Sequence, residues 1–134
     1  MNVCAGNFIN YLKERDFTFN VKEKEGTDTT VTFPYQGKMT SFAFTGDDGC
    51  YVSIHTVYEN VPEEKFADLL IVCNELNTEY RWLKFYVDTD NDLMVEDDAI
   101  LEPETAADEC FELLVRRINI LDDVKPRIMR AIYA

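Results

Sequence analysis

The chain has 134 residues, of which 46% are hydrophobic and 13% aromatic, the composition of a globular protein and not of a disordered one. Its formal net charge of −13 repels phosphate groups, so we expect neither a nucleic-acid partner nor an anionic membrane surface. No apolar run approaches the roughly 20 residues that a membrane-spanning helix needs, and the length predicts one domain over residues 1–134.

The N-terminus has neither the charged start nor the apolar run of a signal peptide, so we expect a cytoplasmic protein. The four cysteines are far apart in the sequence and show no CxxC or paired His/Cys spacing: Cys4, Cys50, Cys73 and Cys110. We therefore predict buried, reduced thiols, as is usual in a reducing compartment.

The first half of the chain predicts one helix and four strands. Residues 4–15 form the helix, because Phe8, Ile9 and Leu12 lie on one side at helical spacing. Apolar alternation predicts strands around residues 17–21 and 31–33, and over 39–45 and 50–57. We expect Pro34 to end the second strand or to place it at a sheet edge.

Residues 62–97 predict a helix, a strand, a tight turn and a second strand. Pro62 suits the first position of a helix, where its missing N–H costs nothing. The helix has one apolar stripe: Phe66, Leu69, Leu70, Cys73 and Leu76. After Asn77 the apolar period changes to two, and the turn over residues 88–92 is rich in aspartate.

Residues 103–133 predict a last helix that Pro103 opens. Pro126 interrupts the pattern, so we expect the last turns to be kinked or to form a separate short helix. The apolar stripe is Ala107, Cys110, Phe111, Leu114, Ile118 and Leu121. Because the connections between strands are short, the prediction is an α+β fold in which five to six antiparallel strands form one layer and three helices the other, in the order α-β-β-β-(β)-α-β-β-α.

The second half of the chain resembles a known family. The segment begins at Val61-Pro62, its helix ends with Asn74 and Asn77, an aromatic strand and an acidic turn follow, and a proline breaks the terminal helix. These features resemble the YbjN-like family, which is described as bacterial sensory transduction regulators. The match covers roughly residues 60–132 well and the first half weakly.

The resemblance implies a fold similar to type III secretion chaperones, with three strands before the second helix where we read four. Those chaperones usually form homodimers and bind protein segments. Leu93 stands where many members have glycine. The family has no settled chemistry, so the resemblance implies no catalytic residue and no cofactor.

Two groups of residues suggest metal binding or catalysis, and neither is specific. Asp88, Asp90 and Asp92 match positions 1, 3 and 5 of a calcium loop, but Leu93 replaces its glycine and Ala99 its last glutamate. We interpret them as a solvated turn and predict no metal site. The single histidine, His55, has no partner at motif spacing, so we interpret it as structural.

The acidic residues are unevenly distributed. Residues 88–112 hold eleven of the 26 acids and no Lys or Arg. Part of this follows from the dipole of the last helix, whose start favours acids. Our main interpretation is a solvated face, and a docking surface for a basic partner segment is the functional alternative.

Apolar residues beyond those needed for one core predict a contact surface. Ala67 and Ile71 form a second stripe on the middle helix, and Trp82 and Tyr86 occupy the strand face opposite its apolar residues, with Met94 alongside. A contiguous exposed apolar patch marks a contact site, so we predict a homodimer or partner surface there.

The sequence therefore favours a non-enzymatic protein-binding or regulatory module, chaperone-like, in bacterial signal transduction. It would form a homodimer and bind a protein or peptide partner. The alternative is a small-molecule-binding regulator or a small enzyme that uses acidic and aromatic residues in a cleft.

Overall fold

The computed structural model describes residues 1–23, 28–46 and 50–134, except for the side chains of Tyr35 and Cys50. These residues form α1 (Val3–Glu14), β1 (Asn20–Glu23), β2 (Thr29–Tyr35), β3 (Lys38–Thr45), β4 (Cys50–Asn60), a 3-10 turn (Glu63–Lys65), α2 (Phe66–Glu79), β5 (Lys84–Val87), β6 (Asp92–Leu101) and α3 (Ala106–Tyr133). The predicted α+β fold is confirmed, with four strands before α2.

The six described strands form one antiparallel sheet in the order β1-β2-β3-β4-β6-β5. Cross-strand pairs place Val31, Phe42 and Ile54 on the same face as Val95 and Phe85. This face is buried against the helices. The sheet and the helices are therefore the two predicted layers.

Two details of the first half differ from the prediction. The strand predicted around residues 17–21 begins only at Asn20, and its residues are all exposed. Pro34 lies inside β2 opposite Met39, so it does not end the strand. Because β1 pairs only with residues 29–32, Pro34 is beyond the reach of β1 and its missing N–H costs no ladder bond there.

The buried face of α2 is narrower than predicted. Leu69, Cys73 and Leu76 are buried, but Phe66 and Leu70 are 38% and 45% exposed. The reason is that α2 packs mainly against β5 and α3, at the end of the sheet. Pro62 precedes the 3-10 turn and is not the first residue of the α-helix.

Helix α3 runs without a break through Pro126, so the prediction of a separate terminal helix is wrong. Packing over its whole length outweighs the one backbone hydrogen bond that proline removes. The buried stripe also differs from the predicted one, because Ala107, Phe111 and Ile118 are only partly buried. It consists of Ala106, Cys110, Leu114, Arg117, Leu121, Val124, Ile128 and Ile132.

The core has two parts, and α3 contributes to both. One cluster joins α1 and the start of α3 to β2, β3 and β4, with Phe8, Phe42 and Phe44 at its centre. The other joins α2 and the end of α3 to β5 and β6, through Leu76 and Phe85. We call them the first and second core clusters.

The cysteines follow the prediction in part. Cys73 and Cys110 are free and buried. Cys4 is disulfide-bonded, so the prediction of a reduced thiol is wrong there. The side chain of Cys50 lies outside the described residues. The prediction failed because spacing alone does not show which cysteines a fold brings together.

No helix among the described residues is both long and apolar enough to cross a membrane.

Candidate functional site

Helix α3 carries an arginine into the middle of the core. Arg117 is 1% exposed and is the largest fully buried side chain among the described residues. Its guanidinium donates to Asp97 Oδ1 at 2.5 Å and Thr56 Oγ1 at 2.7 Å, and to the backbone oxygens of Val95 at 3.0 Å and Ile54 at 2.9 Å. The two strands β4 and β6 are thus tied to α3 by one side chain.

The polar centre around Arg117 is incompletely satisfied. Thr56 also shares a hydrogen bond of 2.8 Å with Thr40 on β3. Burial raises the pKa of the Asp97 carboxyl, and the contact with Arg117 opposes that shift. Among the described residues, Asp97 Oδ2 and Arg117 Nε are buried side-chain atoms without a hydrogen-bond partner. Such atoms are unusual in a folded core, so this ion pair is neutral as a whole but leaves part of its hydrogen-bonding capacity unused.

A groove lies beside this polar centre, because β5 is shorter than β6. β5 pairs only with residues 93–96, so among the described strands Asp97–Leu101 pairs with β4 alone. Trp82 has a φ of 81°, a left-handed conformation, and marks where the chain leaves the line of β5. The space left open has a volume of about 510 Å³ and is lined by Trp82, Ala99 and Leu113. The same three residues line an adjoining cavity of about 400 Å³, which also reaches Asp97.

The walls of this groove are acidic. Carboxylates line it from β6 and from the first turns of α3: Asp98, Asp108, Glu109 and Glu112. Two cations also line it, Lys84 and Arg116, and the Arg116 guanidinium is 5.3 Å from the ring centre of Trp82 and 2.7 Å from Glu112. The groove therefore combines an aromatic ring, a free strand edge and a surplus of negative charge.

The face of the sheet opposite the helices is uncovered in the described part of the chain. Cross-strand pairing produces one row from Pro34 and Met39 to Met94 and Tyr86, with Val57 opposite Met94. A shorter row at the other end pairs Tyr51 with Ile100. The most exposed of these side chains are Ile100 at 82%, Tyr51 at 53% and Val57 at 51%.

A polar row lies between these two apolar rows. Ser53 Oγ is 2.8 Å from His55 Nε2, and His55 Nδ1 is 3.6 Å from Glu96 Oε2, which also accepts from Tyr86 Oη at 2.7 Å. This hydrogen bond raises the pKa of Tyr86 to about 12. Ser53, His55 and Glu96 are in the order of a catalytic triad. However, β4 is paired on both sides, so its backbone amides are engaged in the sheet and cannot stabilise an oxyanion.

Comparison with known proteins identifies the family of this chain. A family model described as "YbjN: Putative bacterial sensory transduction regulator" matches residues 7–128. The chain belongs to the YbjN family. A structural neighbour is the crystal structure of YbjN from E. coli, described there as "a putative transcription regulator".

The E. coli YbjN structure superposes with a TM-score of 0.50 over 81% of this chain and 78% of that one, at 14% sequence identity. At this identity the likeness shows a shared YbjN fold. No curated protein matches the sequence significantly.

The predicted contact surface of this YbjN-family chain divides into three places. Tyr86 and Met94 are cross-strand neighbours on the uncovered face. Ala67 and Ile71 lie on the outward side of α2, opposite its buried stripe. Trp82 lines the groove beside α3. The five residues therefore do not form one patch.

The aspartate turn is stabilised from within. Asp88 Oδ1 accepts from the amides of Asp90 and Asp92, both at 3.0 Å. Such an Asx arrangement explains the residue choice without a ligand. Among the described residues, no group of three or more His, Cys, Asp or Glu side chains is placed to hold a metal ion.

Reasoning from the sequence missed Arg117 and Asp97. Residue type alone does not distinguish Arg117 from its exposed neighbour Arg116. Yet position 117 is three residues after Leu114 and four before Leu121, so it lies on the buried stripe. A second signal of a buried polar centre is that three inward-facing strand positions hold polar residues: Thr40, Thr56 and Asp97.

Proposed function

We propose that this YbjN-family chain is a non-enzymatic regulatory module that acts by binding protein, and that two copies pair through the uncovered face of the sheet. The family is described as regulatory, which supports the general role. The observation that carries the pairing is the uncovered face itself, with its two apolar rows. Exposed apolar area of this kind is characteristic of protein contacts.

A second copy of the chain is the occupant that fits this face. The chain carries a charge of −13, but the central rows of the face hold only Glu96, Asp98 and Lys84 as charged side chains. Self-repulsion is therefore weakest there. A two-fold axis through the polar row would place each apolar row of one copy against the other apolar row of the second copy. The two sheets would then pack face to face, as is common between sheets.

Light scattering tests the pairing with two matched substitutions. Val57→Lys places a charge in the uncovered face, and Ile71→Lys does the same on the outward side of α2, where the side chain is 60% exposed. At micromolar concentration we expect the wild type and Ile71→Lys to have twice the 15.6 kDa chain mass, and Val57→Lys to be a monomer. A wild-type monomer, or a Val57→Lys dimer with an unchanged circular dichroism spectrum, would overturn the pairing.

One observation favours the alternative of a small-molecule-binding regulator. The groove at Trp82 does bring an aromatic ring and several carboxylates together, and its volume of about 510 Å³ is in the range of ligand pockets. A thermal-shift screen with amines and other cationic metabolites tests it, since a bound ligand raises the melting temperature. A shift of several degrees with one compound would favour this alternative.

We also propose a cytoplasmic location for the protein. The free thiols of Cys73 and Cys110 support it, whereas the disulfide at Cys4 is unusual for a compartment that keeps thiols reduced.

A further inference from the structure

We infer that the groove beside the free half of β6 receives an extended, basic segment of a partner protein, which adds to the sheet as a strand next to Asp97–Leu101. This inference rests on the proposed function, protein binding, and names the site and the chemistry of the partner. It does not depend on the pairing of two copies through the uncovered face.

The free strand edge is the first argument. Since β5 ends its pairing opposite Glu96, no described strand pairs with the backbone groups of Asp98–Leu101 that point away from β4. The chain before β5 turns away at Trp82 and leaves the line of that strand open. An edge of this kind accepts an additional strand through main-chain hydrogen bonds. Five residues of β6 offer a length of roughly 17 Å.

Charge is the second argument. Carboxylates of Asp98, Asp108, Glu109 and Glu112 line the groove, and among the described residues the bases that line it are Arg116 and Lys84. Asp97 is 9% exposed, forms part of the wall and has one carboxylate oxygen without a hydrogen-bond donor. Because Arg117 neutralises Asp97, the negative potential comes from the other carboxylates of the groove, and a Lys or Arg side chain is the group that they attract.

Side-chain alternation defines the pattern of the partner. A strand laid beside β6 points its side chains alternately into the groove and toward the uncovered face. On the groove side they meet the acids and the ring of Trp82, which favours cations. On the other side they meet Ile100, which is 82% exposed. The segment that fits alternates basic and apolar residues.

A peptide of that pattern is a direct probe. We would titrate the intact protein with a capped nine-residue peptide that alternates Lys and Val, and follow hydrogen exchange of each backbone amide. We expect binding that slows exchange at residues 98–101, and no binding of the peptide in which every Lys is replaced by Glu. Two further peptides test strand addition: one is N-methylated on the odd residues and the other on the even residues. In an added strand only one of these two sets of amides points toward β6, so only one of the two peptides should retain binding.

Two pairs of substitutions that remove the same amount of charge distinguish binding in the groove from general electrostatic attraction. Asp108→Asn with Glu109→Gln removes two groove carboxylates of α3, and Glu64→Gln with Asp68→Asn removes two remote ones. We expect at least a tenfold loss of peptide affinity from the first pair and less than a twofold loss from the second. Equal losses, or binding without protection of residues 98–101, would overturn the inference. The light-scattering result would be unaffected, so failure here is distinguishable from failure of the pairing.

Discussion

Arg117 is the residue at which the two core clusters meet. Its guanidinium bonds the backbone oxygen of Ile54, in the first cluster, and that of Val95, in the second. On its own helix Leu114 belongs to the first cluster and Leu121 to the second. A charged group at this boundary costs desolvation free energy, which the contact with Asp97 and three neutral acceptors offsets.

Removing Arg117 should therefore be far more damaging than removing its neighbour. We expect Arg117→Met to lower the free energy of unfolding by about 3–5 kcal/mol, because Asp97 is left buried without its cation. Arg116→Met should lower it by less than about 1 kcal/mol, since Arg116 is an exposed i,i+4 partner of Glu112. Urea denaturation measures both.

A double substitution checks the physical reason. Arg117→Met with Asp97→Leu removes both charges, and we expect it to recover most of the lost stability. An Arg117→Met protein within about 1 kcal/mol of the wild type would contradict the assigned role.

The side of α3 that Arg117 occupies could be predicted from the sequence, but its burial could not. Helical spacing places it between Leu114 and Leu121. An arginine there is expected to extend into solvent, because burying a guanidinium requires a partner. That partner, Asp97, is 20 residues away on a strand, and local periodicity does not show that the two meet.

At the scale of elements, Asn77 joins the end of α2 to β5. Its side chain donates to the backbone oxygen of Phe85 at 3.0 Å and accepts from the amide of Phe85 at 2.7 Å. β5 is an edge strand, and Asn77 supplies on its open side the pair of hydrogen bonds that a further strand would make. The family resemblance had marked Asn77 by type, and the structure supplies its role.

Loss of this side chain should loosen β5 against α2. We expect Asn77→Ala to lower the free energy of unfolding by about 1–2 kcal/mol, because two partly buried backbone groups lose their partner. Asn74→Ala, at an exposed position of the same helix, is the matched control and should change it by less than about 0.5 kcal/mol. Equal effects of the two substitutions in thermal denaturation would show that Asn77 acts only through helix propensity.

The predicted elements were mostly right where the pattern is local. Leu69, Cys73 and Leu76 form the buried stripe of α2, but Phe66 and Leu70 do not, because how many neighbours a helix has is decided by the sheet. Trp82 was predicted to alternate with Leu83 on a strand. Its positive φ takes it out of the strand, and residue type does not reveal that conformation for a tryptophan.

For the whole molecule, local connections made the antiparallel sheet predictable but not its order. β2, β3 and β4 follow one another with only a few residues between them, so they pair in sequence. The pairing of β4 with β6 encloses α2 and β5, and places β5 at the edge. This arrangement creates the groove, so the candidate site follows from a long-range pairing that no periodicity shows.

The same long-range pairing should make the two core clusters one cooperative unit, as the prediction of a single domain over residues 1–134 requires. β4 and α3 each contribute to both clusters. Cys110 lies in the first and Cys73 in the second, and burial raises the pKa of their thiols to about 12 and about 11. At pH 8 the native thiols should therefore be inert to alkylation, which needs the thiolate.

Pulsed alkylation in increasing urea, with mass spectrometry of the two cysteine peptides, reports the opening of each cluster separately. We expect both thiols to become reactive at the same urea concentration, coincident with the loss of the far-ultraviolet circular dichroism signal. Reaction of Cys73 at lower urea than Cys110 would show that α2 and the second cluster open first. In that case the chain would consist of two units of unequal stability, and Arg117 would not couple them.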